Sequence, residues 1–252
     1  MEALKKIIGK GDLCFDIGSN TGSKTQKMLD LGARVVSVDP QKECYNSLTN
    51  KFSGVEGVFL VNCGCGPTKG KGKIKISDHN TLSTMSNEFV FETSKERFRG
   101  VKWEREEEIE ILTLDDLIEA YGVPKFCKID VEGYESEVLK GLSEPIEYLS
   151  LEFVPELKHN SFECLKILMN LAEYSFNYSE AESGIFEFSE WVSQSQMESY
   201  LKKITTLKSP LGIFMHREKK DENFYCNPGV RDERIRNIFS KGEPRKNKYS
   251  EF

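Results

Sequence analysis

Phe15-Asp16-Ile17-Gly18-Ser19-Asn20-Thr21-Gly22 is the stretch whose reading decides the fold. Leu13-Cys14-Phe15 runs into it as a short apolar segment suited to a buried parallel strand. Residues 23–29 after it read as the first turns of a helix. The glycines therefore fall on a strand-to-helix turn, where a missing Cβ lets the backbone pass close to a ligand. A helix N-terminus also offers unpaired N–H groups to a carboxylate or phosphate. The spacing is acid-x-Gly-x-x-x-Gly, through Asp16, Gly18 and Gly22, and not the G-x-G-x-x-G of a dinucleotide fingerprint. Asp16 offers a carboxylate that a positively charged group of such a ligand could meet. The plainer reading is a tight βα turn with Asp16 as a cap.

Working outward, Arg34-Val35-Val36-Ser37-Val38 reads as a second buried strand ending in Asp39-Pro40. A carboxylate at that strand end can accept both ribose hydroxyls of a nucleoside. The same acid would serve NAD, or simply cap the helix at 41–51. Residues 58–62 form a third strand, with Asn62 where such folds place groups near an adenine edge. Cys63 and Cys65 are spaced to face one side, but no nearby His or second Cys pair completes a tetrahedral metal set. A glycine-rich loop at 64–72 leads to an alternating, exposed strand at 73–76. Residues 77–108 are read as an inserted polar loop carrying His79, a lid, a substrate loop or plain surface. The run Trp103-Glu104-Arg105-Glu106-Glu107-Glu108 is read as a solvated face, and 109–113 as a strand.

Thr113 is a plausible N-cap for a helix with Asp115 and Asp116 in its first turn. Phe126-Cys127-Lys128-Ile129-Asp130-Val131-Glu132-Gly133 is the next strand and its exit. A helix at 134–142, a strand at 148–153, an amphipathic helix at 161–174 and a last strand at 211–215 follow. Phe162, Leu165, Leu168, Met169 and Ala172 form that amphipathic helix's core stripe. Residues 219–252 read as a polar, mildly basic tail with a short helix near 231–239. The expected organisation is one domain over 1–218, with the 77–108 insertion, followed by the tail.

The chain has 252 residues, 38% hydrophobic and 30% charged, which suits one α/β domain with a well-solvated surface. The net charge of -6 argues against a general nucleic-acid binder. No apolar run approaches the ~20 residues of a membrane span, and the N-terminus lacks a signal-type apolar region. Seven cysteines without C-x-x-C spacing point to free, mostly buried thiols in a reducing cytoplasm.

Taken together, the Asp16–Gly22 motif, Val38-Asp39-Pro40, Leu112-Thr113-Leu114-Asp115-Asp116-Leu117 and Lys128-Ile129-Asp130-Val131-Glu132-Gly133 resemble the FkbM family of S-adenosylmethionine-dependent methyltransferases. The pattern continues through Glu135, Val138-Leu139-Lys140-Gly141 and Glu152, over roughly residues 10–155. The Lys-Ile-Asp-Val-Glu-Gly block is its most specific part. The resemblance implies a Rossmann-like class I methyltransferase fold, with a mostly parallel central sheet flanked by helices. It implies S-adenosyl-L-methionine as cofactor, and O-methylation of a hydroxyl on a sugar, glycolipid or related small molecule. Asp16, Gly18, Asn20, Thr21, Gly22, Asp39 and Asn62 are the expected cofactor residues.

A hydroxyl acceptor must lose a proton during transfer, which a carboxylate or imidazole in reach can take. Asp130, at a strand end, is the expected group nearest the chemistry, as base or as acceptor-orienting carboxylate. Lys128 shares its strand face by period two and favours the ionised carboxylate. Glu132 and Glu152 are further candidates, and His79 and His159 are reserve bases. Asp130 and Glu132 also read as caps of the following helix. Asp130, Glu132 and Glu152 have the oxygen donors a hard cation takes, but sequence spacing does not bring them together, so no metal ligand is assigned. A nucleotide-dependent oxidoreductase and a non-catalytic nucleoside-binding protein remain the competing functions.

Overall fold

The structure is a computed structural model that describes residues 2–180, 185–204 and 211–217. The described chain begins α1 (Glu2–Ile7), β1 (Leu13–Ile17), α2 (Ser23–Leu29), β2 (Arg34–Val38), α3 (Lys42–Phe52) and β3 (Val58–Val61). It continues β4 (Gly64–Cys65), β5 (Gly70–Ile76), α4 (Asn87–Thr93), β6 (Arg105–Leu112), α5 (Leu114–Tyr121) and β7 (Phe126–Ile129). It ends α6 (Glu135–Leu139), β8 (Tyr148–Phe153), α7 (Lys158–Leu171), β9 (Tyr174–Glu180), α8 (Gln194–Lys203) and β10 (Leu211–Arg217).

The apolar runs that flank the glycine motif make the middle of the main sheet. Every residue of β1 and β7 is buried, as expected of parallel strands covered on both faces. The strand order is β3-β2-β1-β7-β8-β10-β9. Pairing is parallel from β3 through β8, and β10 lies antiparallel between β8 and β9. This is the α/β, mostly parallel, helix-flanked sheet that the motif order implies. A dinucleotide-binding sheet of order 3-2-1-4-5-6 stays parallel to its edge. The antiparallel β10 departs from that pattern. The chain reverses its direction of sheet growth at β1, where β2 lies on one side and β7 on the other. Open α/β sheets bind ligands at the carboxyl ends of the strands flanking such a switch.

The charge run at 103–108 is a correction. It is the beginning of β6, paired antiparallel with β5 in a small second sheet. Lys71, Lys73 and Lys75 stand opposite Glu110, Glu108 and Glu106. The solvated reading was right for these side chains and wrong for the backbone. Alternate residues Ile109 and Ile111 face the satellite core of Ile74 and Ile76. Exposed ion pairs contribute only about 0–1 kcal/mol each, so the ladder chiefly disfavours other registers.

Thr113 caps α5 as expected, in a reciprocal box with Asp116. The amphipathic helix starts earlier than its apolar stripe, at Lys158, and stops at Leu171. Leu165 and Leu168 are fully buried, while Phe162, Met169 and Ala172 pack at the core edge. β9 was not anticipated, although Tyr-Ser-Phe-Asn-Tyr-Ser alternates as a half-buried strand does. Its Ser175, Asn177 and Ser179 are nevertheless buried. Asn177 bonds the backbone of Phe188 in both directions, which satisfies it there. Cys14, Cys44, Cys63, Cys65, Cys127 and Cys164 are buried free thiols. The expected helix near 231–239 and the 219–252 tail lie outside the described residues. Among the described residues no helix is long and apolar enough to cross a membrane.

Candidate functional site

β1 delivers Gly18 to the carboxyl end of the sheet with φ +74°, a left-handed conformation that glycine adopts without strain. A Cβ there would overlap the backbone carbonyl oxygen of Asp130. The missing side chain thus lets the turn lie directly on the exit of β7. Gly22, φ +79°, has a different reason to be glycine: a Cβ would overlap Phe52 and crowd Leu48 of α3. It serves helix packing and does not line the cavity, which revises the reading that both glycines make room for a ligand.

Asn20, also left-handed at φ +50°, donates its backbone N–H to Asp39 Oδ2 at 2.8 Å. The Gln41 N–H reaches Asp39 Oδ1 at 2.9 Å. Each carboxylate oxygen has spent one lone pair and keeps another for a hydroxyl. Burial pushes the Asp39 carboxyl up to about 6, against the lowering effect of these two N–H bonds. Asn62 is a strut: its Nδ2 donates to the carbonyls of Asp39 at 2.8 Å and Pro40 at 3.1 Å. It acts behind Asp39 and does not line the cavity, a correction to the adenine-edge expectation. Thr21 is exposed, its N–H held by Asn20 Oδ1.

Asp16 is also revised. It has no exposed surface, and Thr25 donates to its Oδ2 at 2.6 Å. Its Oδ1 lies 3.4 Å from Lys128 Nζ. Side chains that sequence reading passed over, Thr25 and Ser37, enclose this carboxylate. It supports the turn from beneath the cavity. Lys128 Nζ reaches Asp130 Oδ2 at 3.1 Å and donates to the Gly18 carbonyl at 3.1 Å. One ammonium therefore ties together the buried acid, the glycine turn and the exit of β7. Burial alone would lower the Lys128 pKa, but Asp130 and Asp16 hold it above the ordinary lysine range.

Past Asp130 the backbone turns left-handed at Glu132, φ +55°, a conformation that costs a non-glycine residue about 1 kcal/mol or more. Two grips maintain it. Thr84 donates its hydroxyl to the Glu132 carbonyl at 2.7 Å. The buried Glu135 accepts N–H bonds from Val131 at 3.1 Å and Gly133 at 3.2 Å, and an amide bond from Asn160 at 2.8 Å. Burial pushes Glu135 up to about 7 while these donors oppose it. Glu135 has a local signal, an acid two residues past Gly133; Asn160 and Thr84 have none.

Two cavities open here. The first, about 140 Å³, is lined by Gly18, Asn20, Asp39, Cys63, Cys65, Ile74, Asn80, Thr81, Ser83, Thr84, Met85, Asp130, Glu132 and Tyr134 among others. The second, about 350 Å³, has Lys24, Lys27, Lys128, Ser150, Glu152 and Ser179 beside Leu4, Met28, Leu211 and Phe214. Asp130 and Thr81 line both. The structure brings Asp130, Glu132 and Glu152 together, with Lys128 paired to Asp130, a convergence that sequence spacing did not establish. His79 is exposed and lines neither cavity, because the short turn at 80–82 presents Asn80 and Thr81 instead. His159 also lines neither cavity and forms an exposed 3.0 Å pair with Glu88.

The family model described as the methyltransferase FkbM domain matches residues 16–178. The chain belongs to the FkbM methyltransferase family. The hexuronic acid methyltransferase AglP of Haloferax volcanii is 29% identical over 149 residues, 57% of this chain and 54% of that protein. The chain thus spans about half the length of this relative. Solved structures of similar shape include an rRNA methylase from Streptococcus thermophilus, at 11% identity and TM-score 0.45, covering 86% of this chain and 93% of that one. A Streptococcus mutans protein solved with SAH is 10% identical with TM-score 0.43, covering 86% and 94%. At that distance the fold assignment rests on this chain's own strand order.

S-adenosyl-L-methionine is the methyl donor of the FkbM family, and the first cavity fits it. Asp39 keeps acceptor capacity for two hydroxyls beside the soft wall of Val38, Cys63, Cys65 and Ile74. Asp130 and Glu132 also line this cavity.

Proposed function

We propose that the protein is an S-adenosylmethionine-dependent O-methyltransferase acting on a hydroxyl of a sugar or related small molecule. The observation that carries this reading is that a nucleoside-suited cavity and a second, polar-floored cavity share Asp130 as a wall. The cofactor, when bound, supplies an electrophilic methyl group. Asp39 holds the ribose. Asp130 orients the acceptor hydroxyl and takes its proton. Lys128 positions Asp130 against the glycine turn. Thr81 and its neighbours in the 80–85 segment limit water at the junction. Ser150, Glu152 and Ser179 offer hydrogen-bonding groups, and Phe214 and Leu211 apolar surface, a mixture that suits a ring with both hydroxyls and C–H faces. The AglP relative, named for a hexuronic acid, supports a sugar acceptor.

Calorimetric titration with S-adenosylhomocysteine, with NADH in parallel, tests the cofactor. Saturable one-site binding of the first and none of the second is expected. Preference for NADH would return the glycine turn to the oxidoreductase reading, against which the antiparallel β10 counts. Transfer of labelled methyl to sugar acceptors, screened next, tests the substrate class.

A further inference from the structure

Asp130, Glu132 and Glu152 come from the exit of β7, the left-handed turn beyond it and the end of β8. Each nevertheless brings a carboxylate oxygen within 4.8 Å of the other two. Three carboxylates so close cannot all stay ionised unless a positive charge lies among them. Lys128 does not suffice, because its single charge is shared between Asp16 and Asp130. Among the described residues, neither Glu132 nor Glu152 has an ion-pair partner.

A second observation concerns Glu152 alone. Its Oε2 is closed off from solvent and has no hydrogen-bond partner. A buried acceptor left unsatisfied is costly, and native structures retain few of them. This one belongs to the carboxylate that completes the cluster. Its opposite neighbour across the sheet is Gly212, which offers no side chain to satisfy it.

We propose that Asp130, Glu132 and Glu152 bind one hard divalent cation of the Mg²⁺ or Mn²⁺ class. Ligand oxygens at about 2.0–2.5 Å from an ion stand at most about 4–5 Å apart, so the observed spacing lets all three carboxylates share one. An all-oxygen set selects Mg²⁺, Mn²⁺ or Ca²⁺ over softer metals. Three protein ligands leave coordination positions open. Glu132 lines the first cavity, Glu152 the second and Asp130 both, so the ion faces the junction. There it neutralises the glutamates and holds an oxygen of the acceptor. That role rests on the methyl-transfer reading; the ion site itself does not.

The test is calorimetric titration of the full chain with MnCl2, with and without saturating S-adenosylhomocysteine. One Mn²⁺ per chain is expected, displaceable by Mg²⁺. Glu152→Gln should weaken it by about tenfold or more while leaving S-adenosylhomocysteine affinity unchanged within about twofold. Asp130→Asn provides a second variant, with circular dichroism to confirm folding of both. Absence of saturable Mn²⁺ binding to the wild type overturns the site, as does unchanged Mn²⁺ affinity in both folded variants. Retained Mn²⁺ binding without any S-adenosylhomocysteine binding supports the ion site and sinks the methyl-transfer reading instead.

Discussion

Replacing Lys128 by methionine removes the cation at the centre of the site while keeping most of the side chain's volume. Asp16 has no exposed surface, so its charge cannot turn to water when the ammonium is lost. At 3.4 Å the attraction between Lys128 and Asp16 is about 5 kcal/mol with an effective dielectric of about 20. Part of that offsets the desolvation of both groups in the native protein. Removing one partner of such a buried pair costs about 3–5 kcal/mol, because the other charge is left uncompensated. For a urea slope of about 2 kcal/mol/M, this lowers the unfolding midpoint by about 2 M. The second arm is Asp16→Asn, whose amide oxygen can still accept the Thr25 hydroxyl. In that background Lys128→Met should cost only about 1 kcal/mol, since the remaining partner Asp130 is 33% exposed and screened. Urea unfolding of wild type, both single variants and the double variant supplies the four free energies, and the coupling should be at least about 2 kcal/mol. A loss below about 1 kcal/mol for Lys128→Met, or an equal loss in both backgrounds, would refute the account of Lys128 as the clamp of a buried carboxylate.

The proposed division of roles predicts that Asp39→Ala weakens S-adenosylhomocysteine binding by about tenfold or more through two lost hydroxyl bonds. Asp130→Asn should keep most of that affinity and instead slow methyl transfer; equal loss of affinity in both would contradict the assignment. Asp39 also sets a pH dependence, because its folded pKa of about 6 lies above the ordinary 3.8. The stability it contributes is fully present below about pH 3.8 and is lost as pH rises through about 6. From pH 4 to 7.5 the stability difference should therefore move in favour of Asp39→Asn by up to about 3 kcal/mol, on top of a pH-independent loss of one of the two N–H bonds, read by thermal or urea unfolding. Ligand affinity should run the other way, rising with pH through about 6 as the carboxylate becomes the better acceptor, and Asp39→Asn should flatten that titration. Gly18→Ala combines a left-handed backbone penalty of about 1–2 kcal/mol with the overlap on the Asp130 carbonyl. It should abolish S-adenosylhomocysteine binding and lower the melting temperature, whereas an unperturbed affinity would mean the turn does not sit on β7 as described.

Much of this protein is local chemistry, and local chemistry is written in sequence. An apolar run of strand length, a glycine turn and the start of a helix determine a βα unit because each step depends on near neighbours. The positions of Asp39 and Asp130 beside the cavity were legible because both follow directly on apolar strand runs, and strand ends are where such sheets present groups. Thr113 was legible as a cap because its partner Asp116 is three residues away. The small sheet was harder. Glu106 and Glu108 have lysine partners more than 30 residues away, and their charge run hides the strand that 109–113 continues.

What only the tertiary structure decided is which groups line the cavities and which are packed away behind them. Asp16 reads as a ligand carboxylate until the fold packs Thr25 and Lys128 against it. Gly22 reads like Gly18 until α3 places Phe52 where its side chain would be. His79 reads as a candidate base, but the short turn at 80–82 sets Asn80 and Thr81 along the cavity and leaves His79 exposed. The meeting of Asp130, Glu132 and Glu152 depends on the parallel pairing of β7 with β8 and on a left-handed turn at Glu132. Sequence spacing specifies the donors in the cluster, but their convergence is a property of strand register, which long-range packing sets.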